Sequence, residues 1–243
     1  MSSSNRHLDD QLAWIRESAQ AGNAECAFVL GLMSDGGWGV PKSETAAAEW
    51  YLRAAKAGSA AAQYAIARMY EVGRGVEKSE KLAFEYAEMA ANQNVVPAQF
   101  MIGVFFANGT GAKRDIPSAQ KWLERAVQSG SSEAKMYLEM ALQEGWLGKK
   151  DLRKSFAYTS ELADGNDPGA MFDLASKFAE GIGCIKNERK AFELYQKAAE
   201  LGSHEAAMML SMVFSNGLLG QRPDPQKADH YLKLSESLLD ARS

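Results

Sequence analysis

Apolar side chains recur along this chain in short helical blocks separated by glycine-containing breaks, and the stretch from Ala170 to Gly202 shows the unit most clearly. Ala170, Leu174 and Phe178 follow one another at four-residue spacing and share one helical face. Gly181 ends that block, because a glycine just past the last turn adopts the left-handed backbone that closes a helix end. Gly183 keeps the connecting loop tight. A second block begins after Asn187, a side chain able to accept from a free backbone N–H. It places Ala191, Leu194, Tyr195, Ala198 and Ala199 on one stripe before Gly202 stops it. The pattern predicts a helix hairpin.

The same hairpin returns every 36 residues, as the glycine after each first helix shows: Gly37, Gly73, Gly109, Gly145, Gly181, Gly217. A small residue on the first helix repeats at the same interval, as Cys26, Ala62, Ala98, Ala134, Ala170 and Ala206. The second-helix stops are Gly22, Gly58, Asn94, Gly130, Asn166 and Gly202, and the two residue types used tolerate a left-handed backbone best. Ser43, Ser79, Asp115, Asp151, Asn187 and, one residue late, Asp224 supply second-helix N-caps. A period of this length built from paired helices means an all-α solenoid whose core comes from stacking, since no single hairpin buries its apolar face alone.

The motifs A-x-x-x-L-G-x-x-Y-x-x-G-x-G-V and K-A-x-x-W-Y-x-x-A-A-x-x-G resemble the Sel1-like repeat, a relative of the tetratricopeptide repeat. Ala62, Ile66, Ala67, Tyr70, Gly73, Gly75 and Val76 carry the first half, and Trp50, Tyr51, Ala54, Ala55 and Gly58 the second. The resemblance implies a right-handed superhelix of antiparallel helix pairs with about 13 helices, acting as a non-enzymatic adaptor or scaffold for other proteins. The organisation expected is a disordered tail at 1–7, a capping helix at 8–22, five copies at 23–58, 59–94, 95–130, 131–166 and 167–202, and a last copy with the C-terminal capping helix at 203–243.

Composition narrows the partners. With 27 basic and 31 acidic residues the chain has a formal charge of −4, which gives no electrostatic reason to expect nucleic acid or an anionic membrane. A helical-repeat RNA reader is therefore the weakest alternative. The start, MSSSNRHLDDQL, lacks the apolar run of a signal peptide, and no later stretch reaches the length of a membrane span. A cytoplasmic protein without membrane insertion is expected, with export open if a leader has been removed. Oligomeric state is not legible. Cys26 and Cys184 lie four copies apart, too far for a disulfide.

Little in the chain is arranged for catalysis or metal binding. The G-x-G loops do not continue into a phosphate-binding motif, and their recurrence marks them as turns. His7, His204 and His230 show no metal-ligand spacing, so neither metal nor cofactor is expected. S-x-x-K spacings at Ser118 with Lys121 and Ser132 with Lys135 keep a serine hydrolase, penicillin-interacting by the family resemblance, as an alternative to binding. Neither S-D-N nor K-T-G accompanies them.

Where copies differ, function is expected, because shared positions are explained by packing. By the resemblance, first helices line the concave face. Arg68, Glu71, Val104, Met140 and Gln143 form the candidate partner-binding groove there, for an extended or helical peptide. Trp38 and Trp146, in loops, are further candidate contacts. Phe28, Tyr64, Phe100, Met136, Phe172 and Met208 make a ladder that reads as packing. Glu139 occupies a position held elsewhere by Gly31, Ala67, Gly103, Ala175 and Ser211. A carboxylate there needs a splayed hairpin or an outward turn, with Lys135 at i−4 as its expected partner.

Overall fold

A computed structural model describes residues 3–241 of the chain as α-helices joined by short loops. Among them are thirteen helices: α1 (Ser3–Gln20), α2 (Ala24–Gly36), α3 (Glu44–Lys56), α4 (Ala60–Val72), α5 (Glu80–Asn92), α6 (Val96–Asn108), α7 (Ile116–Gln128), α8 (Ser132–Glu144), α9 (Leu152–Ala163), α10 (Pro168–Glu180), α11 (Glu188–Glu200), α12 (His204–Asn216) and α13 (Pro225–Asp240). They form an all-α repeat fold. Two compact units divide the chain at residues 131 and 132. In the first, α1 to α7 pack each on the next, and in the second α8 to α13 do the same.

Helix ends follow from side-chain chemistry. Ser43, Ser79, Asp115, Asp151, Asn187 and Asp224 each accept from a backbone N–H in the first turn of the following helix. Asn23, Ser59, Asp167 and Ser203 do the same for α2, α4, α10 and α12. Gly37, Gly73, Gly109, Gly145, Gly181 and Gly217 have φ between 68° and 82°, a backbone that an L side chain resists. The second-helix stops use the same conformation, and Asn94 and Asn166 reach it at φ 65° and 58°. Gly183 has a further reason to be glycine: a Cβ there would collide with the Leu152 carbonyl at the start of the previous copy's second helix. Loop and preceding hairpin thus meet backbone to backbone.

Small residues let the helices approach. Ala54, Ala55, Ala90, Ala91, Ala198 and Ala199 are all buried in these seams. Cys26 is buried at its alanine position, and both cysteines are free thiols. Helix α1 takes in residues 3–7, which the residue pattern assigns to a polar tail. Residues 1 and 2 of that tail lie outside the described residues. Ile15 packs on the core of the first unit, whereas Trp14 is exposed.

Candidate functional site

Copies of the hairpin fill their inner face differently. In the first copy, Phe28 and Tyr51 fill it with rings whose centroids are 5.6 Å apart, and Gly31 lies under the Tyr51 ring where a Cβ would collide. In the fifth, Phe172 and Tyr195 make the equivalent pair at 5.5 Å. The corresponding residues of the fourth copy are Met136 and Thr159. Without a ring, space is left: a pocket of about 370 Å³ opens between α8, α9 and α10. Met136, Met140 and Leu162 are among its apolar wall residues, and Glu139 and Asp173 supply carboxylates.

Glu139 is where the residue pattern and the structure part company. Its partner is not Lys135, which instead reaches Glu161 at 2.8 Å. Lys177, from the next copy, places Nζ 2.9 Å from Glu139 Oε1, with the two side chains only 5% and 15% exposed. Lys177 also donates to Ser155 Oγ at 3.0 Å and to Gln143 Oε1 at 2.5 Å, so each of its three ammonium hydrogens has an acceptor. Ser155 Oγ donates in turn to Glu139 Oε1 at 3.0 Å. Thr159 closes the group by donating to the Ser155 carbonyl at 3.1 Å. A buried charge pair held this way avoids the penalty of an unpaired charge, and the hairpin accommodates the carboxylate inside.

Glu139, Ser155 and Lys177 are each an exception in their own ladder. Ser155 stands where other copies have Ala47, Ala83, Ala119 and Ala191, and Lys177 interrupts Met33, Met69, Phe105, Ala141 and Val213. Those substitutions were the available signal. Asp173 is a further exception, replacing Val29, Ala65, Met101, Tyr137 and Met209. Its carboxyl is held above the ordinary value, first by loss of solvent and then by Glu139, against the opposing pull of Lys177.

The other candidate residues have local roles. Arg68 and Glu71 pair with each other at 3.2 Å on the exposed face of α4. Val104 is half-buried on α6, in the first unit, whereas Met140 and Gln143 belong to the second. Trp38 is exposed and lies over Gly36 at the end of its own helix. Trp146 sets its ring edge to face with Tyr137 at 5.4 Å. Of the S-x-x-K serines, Ser118 donates to its capping Asp115 at 2.6 Å, and Lys135, beside Ser132, is engaged by Glu161. Among the described residues no cluster of three His, Cys, Asp or Glu would hold a metal ion, and no helix is long and apolar enough to cross a membrane.

The Sel1 repeat profile matches residues 24–59, 60–95, 96–131, 134–167, 168–203 and 204–238. The chain belongs to the Sel1 repeat family. A Sel1 repeat protein from Oxalobacter formigenes is 31% identical, with a TM-score of 0.71 over 89% of each chain. A protective antigen present in uropathogenic Escherichia coli strains, which displays an SLR fold, superposes with a TM-score of 0.82 at 27% identity. That comparison covers 93% of this chain and 48% of the antigen, so the chain spans about half of the antigen's length. No curated protein matches. Sel1 repeat proteins are in general non-enzymatic and mediate protein–protein interaction.

Proposed function

We propose that this Sel1 repeat chain is a non-enzymatic adaptor that binds a protein or peptide segment on the exposed faces of its first helices. The observation that carries the reading is on α8. Met136 and Met140, four residues apart, leave 55% and 52% of their surface open beside the pocket. Met208 and Met212 repeat the arrangement on α12 at 50% and 49%. Unbranched, polarizable methionine side chains adapt to varied apolar partners. In the first unit, Val104 with the Arg68–Glu71 pair is the corresponding candidate surface.

Affinity capture from native cell lysate tests the proposal, with wild type beside Met136→Glu/Met140→Glu and, separately, Val104→Glu. The methionine variant is expected to keep its helical circular dichroism and melting profile, since substitutions at exposed positions cost within about 0.5 kcal/mol, whereas Val104 is half-buried and its variant is compared only where it melts as wild type does. Loss of a captured protein with the methionine variant supports α8 as the contact. Undiminished capture by both variants moves the interface elsewhere. Unfolding of the methionine variant would show that those side chains act in packing.

A further inference from the structure

Resting on that binding reading, we propose that the pocket between α8, α9 and α10 receives a basic side chain, arginine or lysine, of the bound peptide. Its aliphatic stem lies on Met136, Met140 and Leu162, and its cationic end meets Asp173.

In copies one and five a phenylalanine and a tyrosine fill the inner face of the hairpin, and at the matching places copy four has Met136 and Thr159. The exchange leaves about 370 Å³, within the range of about 300–1,000 Å³ common to ligand pockets. Its apolar walls suit a chain of methylenes.

Charge then selects among apolar guests. None of the lining residues is basic. Glu139 is already answered by Lys177, and Asp167 is engaged in capping α10, accepting from the Ala170 N–H at 2.7 Å. Asp173 makes no hydrogen bond or ion pair with the other described residues and is open to solvent at the pocket's edge, yet it sits where five other copies have apolar residues. A carboxylate with no direct ion pair at the edge of an apolar pocket fits a long side chain with a cation at its tip. A neutral or acidic guest would leave it unanswered or repelled.

The peptide source follows from what borders the pocket. The exposed parts of Met136 and Met140 extend the apolar surface outside it, giving residues that flank the basic one a place to lie. A free polyamine has no use for that surface.

The full chain, labelled at its methionine methyl groups with carbon-13, is titrated with the acetylated, amidated pentapeptide Ala-Leu-Arg-Leu-Ala. Met136→Leu and Met140→Leu assign the two reporter resonances. Both methyls are expected to shift saturably. The same peptide with citrulline, the neutral isostere of arginine, is expected to bind about tenfold more weakly. Asp173→Asn removes that preference while leaving the melting temperature unchanged. Equal affinity for the two peptides, or no shift of either methyl, overturns the proposal, and spermidine binding as tightly as the arginine peptide overturns the peptide source. Capture by the Asp173→Asn and Met136→Glu/Met140→Glu proteins separates the two readings. If equal peptide affinities accompany loss of the partner from the methionine variant, protein binding at α8 stands and the basic-side-chain inference falls.

Discussion

Copy one and copy four solve the same packing problem in opposite ways. In copy one Gly31 makes room for the Tyr51 ring, and the interior closes around Phe28 and Tyr51. Gly103 likewise accommodates Leu123 in copy three. In copy four the small residue is replaced by Glu139, the large one by Thr159 and the neighbouring alanine by Ser155. A glutamate in that seam leaves no room for a ring opposite it, and needs a donor beside it as well as a cation. The three changes are therefore one coupled exchange, completed by Lys177 from the next copy. The contrast teaches that a repeat can exchange an apolar filling for a pocket without losing its helices, provided the buried charge is fully paired. A more exposed ion pair serves the first unit: Arg74 reaches Asp35 at 2.5 Å from the neighbouring loop, where screening by water limits its worth.

Breaking the pair in copy four is expected to have the largest effect. Lys177→Met, which restores the residue of copies one and two, strands the Glu139 carboxylate and should cost about 3–5 kcal/mol in urea unfolding. Adding Glu139→Ala and Ser155→Ala should return most of that loss. A single-variant cost below about 1 kcal/mol would mean that Glu139 finds water once its partner is gone. Leu174→Ala, in the apolar core of the following hairpin, is next, at about 2–5 kcal/mol. A value below about 0.5 kcal/mol would place Leu174 at the surface.

A third difference is confined to alkaline pH. Tyr51 is pushed up to about 12, chiefly by burial and then by the Asp35 charge, with Arg74 acting the other way. A tyrosine whose folded pKa lies above its unfolded value of about 10 holds its proton more tightly when folded. Its contribution is fully present below about pH 10 and is lost as pH rises from there through about 12. Tyr51→Phe should flatten that part of the stability profile and leave neutral pH unaffected by ionisation. A phenolate absorbance step from Tyr51 near pH 10 would contradict the burial account. Tyr195, in the second unit, is raised in the same direction by burial, with its hydrogen bond to Ser176 opposing.

Much of the architecture was legible because its causes are local. A stop glycine, an asparagine able to take its place and an N-cap serine or aspartate act within one turn, so their spacing in the chain is their spacing in space. Glu139 was visible as an exception for the same reason, since a carboxylate in a seam of glycine and alanine violates the pattern wherever it occurs. Lys177 was legible only as an interruption of an apolar ladder. Lys135, one turn away, looked the nearer partner.

The sequence alone determined the hairpin, its period, the helix ends and the family, because each is written in short-range stereochemistry repeated many times. Tertiary structure alone decided which cation meets Glu139, that Met136 and Thr159 together leave a pocket, and that Asp173 borders it without an ion pair to any other described residue. Those outcomes depend on side chains from three helices competing for one volume. Lys177, nearly closed off from water, gains more from a buried carboxylate than the less buried Lys135 would, and Lys135 has Glu161 within reach.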